Sequence, residues 1–301
     1  MPDQATVVGL GEILWDLLPS GRQLGGAPAN FAYGCHVLGE RAVVASRVGS
    51  DERGRDIQKA LAAAGISGHF LQTDASQPTG TVEVEIGPEG EPKFRITRPV
   101  AWDSLEWTAE WQRLAESAHA VCFGSLAQRS GKSRSTIGKF LDAMPAGALR
   151  VFDVNLRQQF YSAEVIRESL DRATVAKLNH EEVPALRQLL AIEAPTEAGF
   201  SKVLLERFPL ELVSITRGQL GSLLCDRNGR HEHKGFRVTV KDTVGAGDAF
   251  TAGLVHGMFE KRPLPELNDL ANRMGAWVAS HSGAMPAIPA NGIESALAGI
   301  G

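Results

Sequence analysis

Phe31, Cys35 and Leu38 recur at helical spacing, Val43-Val44-Ala45 follow as a short apolar run, and Ile57, Leu61 and Ala64 then resume the helical spacing up to Gly65. An apolar run this short between two amphipathic patterns is a buried strand, and Gly65 is the expected C-cap of the second helix. The alternation extends both ways. Val7-Val8, Ala120-Val121-Cys122-Phe123, Val151-Phe152, Val175-Ala176 and Leu212-Val213-Ser214-Ile215 read as further buried strands. Ile137, Phe140, Leu141 and Met144 form one helical stripe between them, and Val183, Leu186, Leu189 and Leu190 another. Strands alternating with helices predict an α/β fold with a mostly parallel sheet covered on both faces.

One segment breaks this pattern. Thr81 to Ile86 alternates strictly between β-formers and acidic residues, Gly87-Pro88-Glu89-Gly90 marks a turn, and Phe94 and Ile96 alternate again. A strand with one polar face belongs to a half-solvated sheet, so an antiparallel hairpin outside the main sheet is expected, as a lid over a site or a dimer contact.

The 301 residues carry a net charge of −4, with 43% hydrophobic and 22% charged residues. That composition excludes collagen-like, disordered and disulfide-stapled chains, and the mild acidity argues against a general nucleic-acid binder. No apolar run reaches the length of a membrane span, and the N-terminus lacks the basic and apolar regions of a secretion signal, so a cytoplasmic protein is expected. Cys35, Cys122 and Cys225 each sit in an apolar stretch and read as buried free thiols.

Three motifs dissolve on inspection. Gly9-Leu10-Gly11 hints at a dinucleotide fingerprint, but the third glycine position is Leu14. Gly131-Lys132-Ser133 resembles the end of a P-loop, but the first glycine position is Leu126. His231 and His233 alternate beside a turn, which suits a solvated strand better than a metal site.

The chemistry concentrates elsewhere. Gly245-Ala246-Gly247-Asp248 opens a helical pattern of Phe250, Leu254, Val255, Met258 and Phe259. Small residues at a helix start leave N–H groups uncovered at the positive end of the dipole, which suits an anion. Asp248, in the first turn, either caps the helix or takes a proton from a hydroxyl attacking a bound phosphoryl group. Leu24-Gly25-Gly26-Ala27-Pro28-Ala29-Asn30 reads either as a tight turn into a helix or as a close approach of backbone to a polyol, with Asn30 offering a donor and an acceptor. Asp16 is a turn residue or an acceptor for sugar hydroxyls. Asn179 and Glu182, three apart at a strand end, either cap a helix or face phosphate through Mg²⁺ and its waters.

Over essentially its whole length the chain resembles the ribokinase-like (PfkB) sugar kinases. Leu24 to Asn30 and Val48 to Gly54 are similar to the N-terminal signature, Asp242 to Phe250 to the C-terminal one, and Asn179-His180-Glu181-Glu182 to the Asn-x-x-Glu motif. Thr216-Arg217-Gly218 with Gly221 resembles the nucleotide loop, and Asp153 to Arg157 a further family segment. The resemblance implies one ribokinase-like kinase domain over 1–301, with a small β lid from about 12–26 and 79–103. It implies transfer of the ATP γ-phosphoryl group to a sugar, with Asp248 as base and the Gly245, Ala246 and Gly247 amides as anion hole. Asp16, Gly26 and Asn30 would hold the sugar, with Arg98 and Arg157 as nearby cations. Asn179, Thr216, Gly218, Gly221 and Asn272 would serve the nucleotide, and Glu182 would reach Mg²⁺ through water. Asp242 and Val244, with the loop near Ser280 and Gly283, would take a monovalent cation such as K⁺. Gly11 to Asp16, with Gly25 to Asn30, looks most similar to bacterial fructokinases, and Phe94 to Asp103 resembles their lid strand with Trp102 departing from the common form, so fructose phosphorylated at its 6-hydroxyl is the expected reaction. 2-Keto-3-deoxygluconate is the alternative acceptor, and a catalytically silent sugar- or nucleotide-binding regulator the alternative class. A homodimer through the lid is expected, with no nucleic acid or membrane partner.

Overall fold

A computed structural model describes residues 4–18, 21–86 and 92–301. The chain runs β1 (Thr6–Leu10), β2 (Leu14–Leu18), β3 (Gly21–Gly25), α1 (Ala27–Val37), β4 (Arg41–Gly49), α2 (Glu52–Ala63), β5 (Leu71–Asp74), β6 (Gly80–Ile86) and β7 (Pro92–Ile96). It continues through α3 (Ala109–Ser117), β8 (Ala120–Gly124), α4 (Gly131–Ala143), β9 (Leu149–Asp153), α5 (Ala163–Arg172), β10 (Val175–Asn179), α6 (Glu182–Leu190) and α7 (Glu197–Arg207). It closes with β11 (Leu212–Thr216), β12 (Ser222–Asp226), β13 (Arg230–His233), α8 (Ala246–Phe259), α9 (Leu264–Ala279) and α10 (Ile293–Ala298).

Nine strands form the main sheet, in the order β13-β12-β11-β10-β9-β8-β1-β4-β5. Every neighbouring pair from β11 to β5 is parallel, and β12 and β13 add an antiparallel edge. Period-2 alternation divides the strand residues between two cores. Val7, Ala120, Val151 and Val175 pack with Phe31, Phe250, Leu254 and Ala271 under α1, α8 and α9. Val8, Val121, Phe152 and Ala176 pack with Trp111, Phe140, Leu186 and Phe200 on the opposite face. All six strands read from the apolar runs are present, and Cys35, Cys122 and Cys225 are buried and free.

The order reverses at β1, which has β4 on one side and β8 on the other. In an open parallel sheet, such a switch point opens a crevice at the carboxyl ends of the strands. Facing α8, the same alternation that aims Val151 and Val175 into the core brings Asp153 and Lys177 to the carboxyl end of that face, paired across β9 and β10. There the apolar core gives way to charge.

The strictly alternating segment forms a second sheet, in the order β3-β2-β6-β7. The β6–β7 pair is antiparallel as expected, and β2 runs parallel to β6, so Asp16 belongs to this sheet rather than to a turn. The turn expected over Gly87 to Gly90 lies outside the described residues. At the base of this sheet the Trp102 indole is fully buried. The Arg129 guanidinium lies over its ring, 3.9 Å from the centroid, and also bonds Asp103 and the Thr97 carbonyl.

Helix α1 is seated through Gly9 of β1. A Cβ there would stand 2.0 Å from the Pro28 carbonyl oxygen, so only glycine lets the helix start lie on the strand. Gly9→Ala is expected to cost about 1–3 kcal/mol through overpacking, read as a lower denaturant midpoint with unchanged slope.

Candidate active site

The site forms at the N-terminus of α8. Gly245, at φ 76°, turns the chain into the helix, and no side chain caps the end. The Ala246 N–H folds back to the Thr243 carbonyl at 3.3 Å. The Gly245 and Gly247 N–H groups have no acceptor among the described residues, so two of the three expected anion-hole amides remain open. Asp242 holds the preceding loop: one carboxylate oxygen accepts from Val244 N at 3.0 Å and the other from Gly283 N at 3.1 Å.

Asp248 does not cap its own helix. Its Oδ2 accepts a hydrogen bond from Asn30 Nδ2 at 2.8 Å, which joins α8 to the start of α1 across the crevice. Burial, with the Asp153 carboxylate adding to it, pushes the Asp248 carboxyl up to about 6; Lys177, the Asn30 hydrogen bond and Arg157 work against that rise. A carboxylate so placed is ionised at neutral pH yet basic enough to take a hydroxyl proton.

Beneath it lies a buried ion pair. Lys177 Nζ stands 3.2 and 3.0 Å from the two Asp153 oxygens, and the side chains are 9% and 4% exposed. Burial disfavours the ammonium, but Asp153 first, then Asp248 and Glu182, raise the lysine above its ordinary value. A Cβ on Gly247 would lie 3.1 Å from Lys177 Nζ, so the cation sits directly against the open amides.

Of the residues expected to hold the sugar, Asn30 meets Asp248 directly, and Asp16 and Arg157 lie within electrostatic reach of each other. Asn30 lies in the first turn of α1, whose N-cap, Gly26, has φ 112° and would place a Cβ 2.6 Å from the Glu12 carbonyl oxygen. Gly26 therefore accommodates the chain's own close approach. Asp16 is half-buried with Oδ2 against Gly25, and burial raises its carboxyl while Arg157 opposes the shift. Arg157, exposed beyond β9, acts electrostatically on Asp16, Glu12 and Asp248 together. Arg98 is exposed and stands over the Phe160 ring, 5.4 Å from its centroid.

Asn179 and Glu182 bond each other: Asn179 N donates to Glu182 Oε2 at 2.8 Å, and Glu182 N to Asn179 Oδ1 at 3.0 Å. Glu182 Oε1 also accepts from Leu156 N at 2.8 Å. With both oxygens bonded and 7% exposure, Glu182 fits a metal only through water. Thr216, at the end of β11, pairs with Asn179 across the sheet. Beyond it Gly218 faces open space, Leu220 is 67% exposed, and Gly221 packs against the His233 carbonyl. Asn272 is 8% exposed and donates to Ser222 Oγ at 2.7 Å and to Asn268, so its amide nitrogen braces β12 and only its oxygen is left for a ligand.

The discounted motifs have structural work. Ser133 Oγ bonds the Trp102 carbonyl, Lys132 pairs with Glu106, His231 meets Asn268, and His233 accepts from Gly235 N. No group of three His, Cys, Asp or Glu residues among the described residues is arranged to hold a metal. No helix there is long and apolar enough to cross a membrane.

The pattern of the pfkB family of carbohydrate kinases matches residues 21–291. The chain belongs to that family. Fructokinase of Escherichia coli is 32% identical over 305 residues, an overlap of 93% of this chain and 95% of that protein. Fructokinase of Vibrio cholerae O395, in its fructose-, ADP- and calcium-bound form, has a TM-score of 0.82 at 26% identity over 99% of both chains. A double mutant of that fructokinase, bound to fructose, ADP and potassium ion, gives the same score, identity and coverage. The fold is accordingly ribokinase-like, and the protein is a phosphotransferase with an alcohol group as acceptor.

Lys177 escaped the sequence reading, and Glu12 and Asp153 entered it only as parts of family-like segments. Each is a single charge beside a buried apolar run, where a charge is costly unless it is paired or used.

The raised Asp248 carboxyl makes its ionisation a cost to the fold. That cost is absent below the unfolded value near 3.8 and grows as pH rises through about 6. Asp248→Asn is therefore expected to be more stable than the parent at pH 8, by on the order of 1–3 kcal/mol. The difference should shrink below pH 6 and vanish near pH 4, as followed by chemical denaturation.

Proposed function

We propose that this carbohydrate kinase transfers the γ-phosphoryl group of ATP to the 6-hydroxyl of fructose. The observation carrying this reading is the Asp248 carboxylate, oriented by Asn30 at 2.8 Å and set one residue beyond the open Gly247 amide. Asp248 would take the hydroxyl proton as the oxygen attacks, while Gly245 and Gly247 N–H groups and the Lys177 ammonium stabilise the charge moving through the transferring group. Asp16, Gly26 and Asn30 would orient the sugar, with Arg157 beside them. Thr216, Gly218 and Gly221 would line the nucleotide, and the exposed Leu220 offers an apolar surface to its base. Glu182, held by Asn179, accepts from the Leu156 N–H, and the two would face Mg²⁺ waters at the phosphates; the ion would neutralise charge on the leaving diphosphate. A monovalent cation would sit in the loop that Asp242 ties to Gly283.

The choice of fructose follows from the related fructokinases and the fructose bound in the Vibrio cholerae protein. 2-Keto-3-deoxygluconate is the second reading, favoured by Arg98, a cation over Phe160 suited to a carboxylate. The second sheet, β3-β2-β6-β7, would serve as the lid that excludes water, and as the contact between two copies.

A coupled ADP-release assay with Mg-ATP and K⁺ tests the reading against fructose, 2-keto-3-deoxygluconate, ribose, glucose, mannose, adenosine and fructose 6-phosphate. Fructose should give the highest kcat/KM, and Asp248→Asn should lower kcat roughly 10²–10⁴-fold while ATP and fructose still bind. Near-normal turnover in the variant would remove Asp248 from the base role, and preference for the keto-acid would replace fructose. Asp16→Ala should raise KM for fructose and leave KM for ATP in place. A change confined to ATP would contradict the placement of the sugar pocket.

A further inference from the structure

Glu12 lies on the crossing from β1 to β2, 2% exposed, with Oε2 sealed from solvent and without a hydrogen-bond partner. Asn30 Oδ1 is a second buried acceptor without a partner among the described residues, while the Asn30 amide nitrogen donates to Asp248. A Cβ on Gly26 would meet the Glu12 backbone, and Gly26 lies one helical turn before Asn30. Two orphan acceptors beside one catalytic carboxylate leave the region short of a donor, and a proton on Glu12 supplies one. An ionised carboxylate so enclosed would face a desolvation penalty that its own backbone N–H offsets only in part.

We propose that Glu12 is a positioning residue of phosphoryl transfer: a buried, proton-carrying carboxyl that keeps a further negative charge away from Asp248 and from the pocket that receives the γ-phosphate. The charged groups acting on it are Asp248 from α8, Asp153 from β9 and Arg157 from the loop beyond β9, with Lys177 of β10 behind Asp153. Burial first, then Asp248 and Asp153, pushes the Glu12 carboxyl up to about 7, with its own backbone N–H and Arg157 opposing. In the protonated state Glu12 adds no charge to the Asp248 and Asp16 carboxylates on the sugar side of the Lys177–Asp153 pair. On the alkaline side a further carboxylate would repel the incoming phosphates and weaken ATP capture.

The role rests on the kinase reading above, and its first test is independent of turnover. Infrared spectra of the full-length protein are titrated with pH, and the Glu12 band is assigned by its loss in Glu12→Gln. A protonated-carboxyl band at pH 6.5 is expected, and its midpoint should move to lower pH in Asp248→Asn, where a neighbouring negative charge is removed. Absence of the band, or a midpoint that does not move, overturns the proposal. The second test is kcat/KM for ATP against pH. The parent should fall by about tenfold per pH unit above the Glu12 ionisation, towards a lower plateau, whereas Glu12→Gln should lose that alkaline limb. An alkaline limb identical in both proteins makes Glu12 merely structural and overturns its action on the reaction. Inertness of the parent toward every sugar overturns the assigned reaction instead, and the infrared midpoints still decide Glu12.

Discussion

Lys177 and Asp153 face each other across neighbouring strands in the row of the sheet where the apolar core stops. An ion pair so enclosed gives up hydration on both sides, and hydrophobic residues of similar volume would commonly serve stability as well or better. Its position explains its presence. The ammonium lies against Gly247, so removing it would leave Asp153 buried and unpaired, a loss of about 3–5 kcal/mol, and strip a cation from the open amides. The pair also sets the field for its surroundings: Asp153 raises Asp248, Glu12 and Glu182, and Lys177 restrains Asp248 and Glu182. Glu182, Glu12 and Asp248 are thus coupled through one buried charge system.

The backbone is built to deliver groups to that system. The β1–β8 switch point opens the crevice, and the short approach of Pro28 to Gly9 fixes where α1 begins. Asn30 then stands one bond from Asp248, while Gly26 seats the crossing that carries Glu12. Asp16 arrives from the second sheet, a separate element whose base is held by Arg129 between Trp102 and Phe160. The arrangement trades stability for function in a specific way. Asp248 is buried where its charge is penalised, and that penalty gives it a basicity matched to neutral pH.

Much of this was legible in the sequence because it is periodic. Strands such as Val7-Val8 and Val151-Phe152 are buried on both faces and read as continuous apolar runs, and the hairpin announced itself by alternation at Thr81 to Ile86. Asp248 was visible because small residues precede it at a helix start. The parts that stayed hidden depend on strand register. Lys177 and Asp153 lie 24 residues apart, and only the β9–β10 pairing makes them neighbours. Glu12 looks like any acidic residue near a strand end until the fold buries it with Oε2 unpartnered among the described residues. The glycines also serve the chain itself, which the sequence does not show: Gly26 and Gly221 admit the Glu12 and His233 carbonyl groups, while Gly247 adjoins a cation. The open amides also number fewer than the motif suggests, because the turn uses Ala246 itself.

The most direct test of the account is a crystal structure of Asp248→Asn with fructose and a non-hydrolysable ATP analogue. The account predicts the fructose 6-hydroxyl within hydrogen-bond reach of residue 248, with the γ-phosphoryl group on the Gly245 and Gly247 amides and beside Lys177. A sugar bound with no hydroxyl near residue 248, or a terminal phosphate lying away from those amides, would contradict it.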